Sequence, residues 1–209
     1  RRQKRVASSR TFFVSGVCVT MRLRDARPME QSPFQNWPPK PRGYFAIGAE
    51  RMSKALNLGN LMRSAHGFGA SFTFTVGATY QALEARADTS KGQWHIPHYN
   101  WPTLEEMALP QGCQLVGVEL LDSAVDLPSF RHPLRAAYVL GPEKGSLSPE
   151  LLDRCSYVVR IPTSFCVNVA MAGAIVMYDR TRSLARFADR PLREGGPLPA
   201  RTGAAKKRG

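Results

Sequence analysis

Apolar positions in the middle of the chain follow two periodicities, which alternate. Tyr44–Ala49 (YFAIGA), Gln114–Leu120 (QLVGVEL), Ala136–Leu140 (AAYVL) and Tyr157–Ile161 (YVVRI) are short apolar runs of strand length. Ser71–Val76 (SFTFTV) adds an aromatic and β-branched run of the same kind. Between the first two strands, Leu58, Leu61, Met62 and Ala65 recur at i, i+3, i+4, i+7, which predicts a helix over Asn57–Phe68. Ser148-Pro149-Glu150 opens a short helix (LLDRC): a capping hydroxyl, a proline suited to the first turn, and an acid facing the positive end. A last helix runs from Asn168 to about Leu184, with Ala170, Ala172, Gly173 and Ala174 small enough for close approach to another backbone. Strands alternating with helices predict a parallel sheet covered on both faces, a single α/β domain over residues 44–182.

The ends carry a different pattern. Pro28, Pro33, Pro38, Pro39 and Pro41 forbid regular helix and strand, so residues 1–43 read as an extended or disordered arm. Phe34 and Trp37 within it either dock on the core or stack on a base. Residues 1–20 imitate the charged and apolar regions of a secretory signal, but no small-residue cleavage site follows. Met21 is a plausible start, and residues 1–20 are set aside from the fold reading. Residues 183–209, rich in Arg, Pro, Gly and Ala, read as a basic disordered tail. The longest apolar run, Cys166–Tyr178, spans 13 residues, too short to cross a bilayer.

Charge sharpens this division. The net charge is +13, yet residues 1–43 hold ten Lys/Arg against two acids and residues 180–209 hold nine against two. The segment between has ten bases and twelve acids and is close to neutral. Cationic ends on a neutral core suit a polyanion, because each neutralised phosphate releases a counterion. Four cysteines without a CxxC pair exclude a disulfide scaffold and a zinc knuckle, which points to a reducing compartment, the cytoplasm. His95 and His98 lack a neighbouring carboxylate or thiol, so a loop packed by Trp94 and Trp101 is expected there and no metal site.

Three clusters follow strands and carry candidate chemistry. In Asn57-Leu58-Gly59-Asn60-Leu61-Met62-Arg63, Asn57 can cap the helix, and Arg63 is either an anion clamp or a solvated surface residue. Leu140-Gly141-Pro142-Glu143-Lys144-Gly145 sets a carboxylate between glycines at a strand's C-terminal end, either a ligand loop or an ordinary turn. It lacks GxGxxG, which disfavours a nicotinamide-dependent oxidoreductase. In Ile161-Pro162-Thr163-Ser164-Phe165-Cys166-Val167-Asn168, the Asn caps the last helix or holds a polar ligand.

In this order the clusters resemble the motifs of the SpoU/TrmH-like RNA methyltransferases of the SPOUT superfamily. NLGNLMRSAHGFG is similar to their N-x-G-x-x-x-R, VLGPEKGSLSPELL to G-x-E-x-x-G, and IPTSFCVNVAMAGAIVMYD to I-P…S-L-N-V-x-x-A-x-A. The resemblance implies an α/β domain with a C-terminal trefoil knot, acting as a homodimer with its active site at the subunit interface. It also implies S-adenosylmethionine as cofactor and methyl transfer to a ribose 2′-hydroxyl of tRNA or rRNA. Arg63 then matches the catalytic Arg, Asn57 its support, Glu143 the motif-two carboxylate and Asn168 the motif-three Asn. Leu140, Gly141, Gly145, Ile161, Pro162, Cys166 and Val167 fall at cofactor-contacting positions. A guanidinium with pKa above about 12 is an awkward base, so Arg63 acts as one only if its surroundings alter it, and otherwise orients the hydroxyl. Cys166 replaces the family Ser and donates a hydrogen bond less well. The alternative is a knotted RNA-binding protein without turnover.

Overall fold

The computed structural model describes residues 9–14, 17–22, 43–78, 96–185, 187 and 194. The Pro-rich arm with Phe34 and Trp37, residues Trp94 and His95, and most of the basic tail lie outside them. The chain divides into two compact units, Arg1–Pro38 and Pro39–Gly209. Within the first, β1 (Ser9–Val14) and β2 (Val17–Arg22) pair antiparallel, Ser9 opposite Arg22 and Val14 opposite Val17. Most of this hairpin falls in the stretch that the sequence reading set aside.

The second unit is a seven-stranded sheet with helices on both faces. Its elements are β3 (Tyr44–Glu50), α1 (Ala55–Phe68), β4 (Phe72–Val76), β5 (His98–Trp101), β6 (Gln114–Val118), β7 (Val125–Asp126), β8 (Arg135–Leu140), α2 (Pro149–Arg154), β9 (Tyr157–Arg160) and α3 (Val169–Leu184). The strand order is β5-β4-β3-β8-β6-β9-β7, and every neighbouring pair is parallel. Parallel strands need crossovers, and here the helices of those crossovers supply the cover that makes continuous apolar strands possible. Phe45, Ile47 and Ala49 of β3 join Ala136, Tyr138 and Leu140 of β8 in one core with Leu58, Leu61 and Met62 of α1 and Val176 and Met177 of α3. The intervening residues Ala46, Ala137 and Val139 face the other way, into a second core with Phe72, Phe74, Leu147 and Leu151. Among the described residues no helix is long and apolar enough to cross a membrane.

Two glycines set the spacing of these layers. A Cβ on Gly173 would lie 2.4 Å from Leu61 Cδ1, so this position lets α3 settle against α1. A Cβ on Gly48 would lie 2.2 Å from the Phe74 carbonyl oxygen, which ties the β3–β4 pair to a bare backbone at that point.

The segment around His98 differs from the expected loop: it forms the edge strand β5. Its four residues alternate. His98 Nδ1 is 2.9 Å from Thr73 Oγ1, and Thr75 Oγ1 donates to Asn100 Oδ1 at 2.9 Å. Tyr99 and Trp101, pointing to the opposite side, stack on each other at 5.9 Å and pack on Phe72 and Phe74. Burial pushes the His98 imidazole down to about 4.

Arg180, which the charge arithmetic assigned to the basic end, is wholly buried instead. Its guanidinium donates to the carbonyls of Pro133, Leu134 and Tyr44 and to Tyr138 Oη, and it lies over the rings of Phe45 and Tyr138. Beside it, His132 bridges Tyr138 Oη (2.6 Å) and Asp179 Oδ2 (2.9 Å). Burial lowers the His132 pKa, against the pull of Asp179. These bonds moor the far end of α3 to the segments entering β3 and β8.

Candidate active site

At the opposite end of the strands, the residues that follow β3, β6, β8 and β9 surround a cavity of about 300 Å³. A crevice outside the carboxyl ends of parallel strands is where open α/β sheets bind ligands, and the volume is at the small end of such sites. Val118, Leu140, Ile161, Val167 and Ala172 give it apolar walls, while Lys54, Asn57, Glu119, Glu143 and Asn168 bring polar groups to it.

The site is assembled at the start of α1. Arg51 leaves β3 in the left-handed region, φ 49°, and its N–H donates to Val76 O at 2.7 Å. Lys54 occupies the N-cap position but offers the helix no side-chain cap. Glu143, far along the chain, does so in its place. Its Oε2 accepts from the Ser53 N–H and hydroxyl, both at 2.9 Å, and its Oε1 accepts from the Lys54 N–H and Asn57 Nδ2, both at 3.0 Å. A carboxylate is well placed against the positive end of a helix whose first N–H groups have no partner within it. Burial pushes the Glu143 carboxyl up, but these donors together outweigh it and hold the pKa below the ordinary value of 4.5.

Asn57 is therefore not the cap that the sequence suggested. It is the third residue of the helix, buried, and its amide joins the three motifs. While Nδ2 donates to Glu143, Oδ1 accepts from Asn168 Nδ2 at 3.0 Å. Asn168 in turn caps α3, its Oδ1 accepting from the N–H groups of Ala170 (2.9 Å) and Met171 (3.4 Å). The two alternatives for Asn168 thus merge: it caps, and it lines the cavity as well.

The Gly141–Ser148 loop is held from several sides. Glu119 takes the Leu147 N–H on Oε2 (2.8 Å) and the Leu120 N–H on Oε1 (2.9 Å). Glu50 accepts from the Ser148 N–H at 2.8 Å and from its hydroxyl, and Arg51 donates to Ser146 O at 2.9 Å. A Cβ on Gly141 would come within 3.3 Å of both Glu119 Oε2 and the Leu147 nitrogen, so the bare backbone leaves room where the loop turns over the cavity.

Of the residues nominated from sequence, Leu140, Gly141, Gly145, Ile161, Cys166 and Val167 line the cavity together with Asn57, Glu143 and Asn168. Pro162 does not, and neither does Arg63, which is exposed on α1. Lys54, Glu119 and Thr163 line it without having been nominated. The sequence reads Glu119 as part of the strand Gln114–Leu120; in the structure β6 ends at Val118, which leaves Glu119 directly after it, at the same end of the strands as Gly141 after β8.

Residues 44–178 match the SpoU rRNA Methylase family. The chain belongs to that family. The SpoU match opens on the first residue of β3 and ends inside α3, so it contains Asn57, Arg63, Glu143 and Asn168. A curated relative, the mouse (Mus musculus) tRNA (guanosine(18)-2′-O)-methyltransferase TARBP1, is 26% identical over 150 residues, 65% of this chain and 9% of that protein. Among solved structures, the AdoMet-bound rRNA methyltransferase from Sinorhizobium meliloti is 26% identical with a TM-score of 0.61, covering 74% of this chain and 62% of its own. The SpoU methyltransferase AviRb from Streptomyces viridochromogenes, in complex with AdoMet, has a TM-score of 0.62 at 21% identity, over 69% of this chain and 59% of its own. This SpoU chain thus spans under a tenth of the curated relative and about three fifths of these two solved chains.

Proposed function

We propose that the protein transfers a methyl group from S-adenosylmethionine to a ribose 2′-hydroxyl of tRNA or rRNA. The observation that carries this reading is the hydrogen-bonded series Glu143–Asn57–Asn168, which draws the three motifs together on one cavity. The cavity lining fits the cofactor: apolar walls for an adenine and a methionine chain, a backbone left bare at Gly141, and a carboxylate with open acceptor sites, Glu119, for a cationic or hydroxyl-bearing ligand. When bound, the cofactor supplies an already activated methyl on its sulfonium.

The chain's own residues then position the hydroxyl for in-line attack on the methyl, which is where an enzyme gains rate on a poor nucleophile, and the hydroxyl proton passes to solvent as the new bond forms. Glu143 is committed to the start of α1 and holds Asn57, so its part is to fix the site's geometry. Arg63 is the group for the hydroxyl, acting through charge. Its absence from its own cavity suits a site completed between two subunits. Leu56 of α1 and Met171 and Tyr178 of α3 are exposed apolar side chains on the packed α1–α3 pair, which supports a homodimer that buries them. Lys54, a cation in the cavity lining, and the basic ends are suited to RNA phosphates. We infer in addition the family's trefoil threading of the segment after β9, and residence in the cytoplasm, where the free thiols of Cys113, Cys155 and Cys166 stay reduced.

The test is incubation with tritiated S-adenosylmethionine and separate pools of unmodified tRNA and rRNA, followed by digestion to nucleosides. Label in a 2′-O-methylated nucleoside is the expected result. No label from a protein that binds both cofactor and RNA would favour the binding protein without turnover.

A further inference from the structure

Two carboxylates line the cavity, and they differ in how much of their accepting capacity is already used. An ionised carboxylate offers about four acceptor sites. Glu143 fills its four with Ser53 N–H, Ser53 Oγ, Lys54 N–H and Asn57 Nδ2. Glu119 receives only two donors among the described residues, the N–H groups of Leu120 and Leu147, one on each oxygen. Neither Glu50 nor any other acid shares the cavity lining with them. Among the described residues Glu119 also forms no ion pair, because the four present involve Glu50, Asp126 and Asp179. A half-satisfied carboxylate, held rigid by two backbone N–H groups and facing a cavity, is an acceptor pair waiting for a donor pair. Its two anchors are also informative. They come from different segments, the exit of β6 and the loop after β8, so the side chain is fixed in direction before a ligand arrives, which removes an ordering cost from binding.

We propose that Glu119 is the cofactor-contacting carboxylate of this site, accepting hydrogen bonds from a paired donor on the bound S-adenosyl group. The inference rests on the cofactor reading above. Two parts of that molecule carry the required chemistry, the ribose cis-diol and the α-ammonium, and the experiment separates them. Glu143, by contrast, makes no direct contact with the cofactor.

Calorimetry on the full chain with three probes gives the test. S-adenosylhomocysteine carries both donor groups, 5′-methylthioadenosine carries only the diol, and its 2′,3′-dideoxy counterpart carries neither. With Glu119→Gln, affinity for S-adenosylhomocysteine should fall about 10-fold or more, as for loss of a hydrogen bond to a charged group. If the diol is the partner, removing it weakens wild-type binding and costs little further in the variant. If the ammonium is the partner, the variant loses affinity for S-adenosylhomocysteine while methylthioadenosine binds as before. A purely structural Glu119 would weaken all three probes by one common factor, and that result overturns the proposal, as does affinity within 2-fold of wild type. Glu119→Asp, which keeps the charge, serves the same comparison should the Gln variant melt below the assay temperature. Failure of the wild-type chain to bind any probe would overturn the cofactor reading and this inference together, whereas unchanged variant affinity removes Glu119 alone.

Discussion

Replacing Glu143 with Gln tests whether a distant carboxylate is what starts α1. The native side chain accepts four hydrogen bonds, all at 2.9–3.0 Å. An amide has one oxygen and accepts two of them at most, so two donors lose their partner and the amide NH₂ is brought up against them. The site is only half buried, so water recovers part of the loss, and each orphaned donor costs about 1–1.5 kcal/mol. The lost charge at the helix N-terminus adds about 0.3–1 kcal/mol. The sum is about 2–4 kcal/mol, which for a chain of this size lowers Tm by roughly 5–12 °C. Thermal melts followed by circular dichroism measure it. The pH dependence supplies a second, sharper check. A carboxyl held below 4.5 in the folded state contributes stability that is fully present above 4.5 and is lost as pH falls through the folded value. The Tm gap between wild type and variant should therefore be constant from pH 7 to 5 and close as the solution becomes more acidic. No gap at pH 7, or a gap still undiminished at pH 3, would refute the account of Glu143 as the cap.

Arg63→Ala should abolish methylation while leaving S-adenosylhomocysteine affinity within a few fold, as calorimetry would show; lost cofactor binding would make Arg63 structural. Cys166→Ser should keep or raise turnover in the tritium assay, since it restores the better donor, and a complete loss would mean that the third motif is misplaced on this chain. Gly173→Ala pushes a Cβ into the buried Leu61 side chain, which must repack, and should destabilise by about 1–3 kcal/mol in urea titration. Removing residues 186–209 should weaken RNA binding and flatten its dependence on salt, measured by fluorescence anisotropy, because fewer phosphates are neutralised. An unchanged slope would leave the basic end without a part in binding.

Much of the fold was legible because parallel strands buried on both faces are apolar at nearly every position. YFAIGA and AAYVL needed no alternation to be recognised, and the small residues of the last helix point to a close contact with another backbone, which the structure finds in α1. The edge strand β5 was harder to see. HYNW carries a clean period of two, polar His98 and Asn100 against aromatic Tyr99 and Trp101, but it is only four residues long and Pro97 and Pro102 flank it. Polar faces on a strand usually mean solvent, whereas these pair with Thr73 and Thr75. The site was legible in its residue types and order, and less so in its bonding. Asn57 looks like a cap because local sequence rules assume that a cap lies next to its helix. Here the acceptor comes from a position 86 residues further on. Glu119 went unnoticed for a similar reason, since a single acid at a strand end has no pattern of its own. Arg180 falls in the basic C-terminal end by charge although it lies within the last predicted helix, and nothing in its neighbours shows that three carbonyls await it.

The two ends of α3 give the protein an order of assembly. Asn168 closes the site, and Arg180, twelve residues on, fastens the same helix to the carbonyls of Tyr44, Pro133 and Leu134. During synthesis the sheet strands leave the ribosome before this helix does, with Asn57 still lacking its amide partner and part of the cavity wall missing. The core and the site therefore share one helix, and neither is complete until that helix has docked.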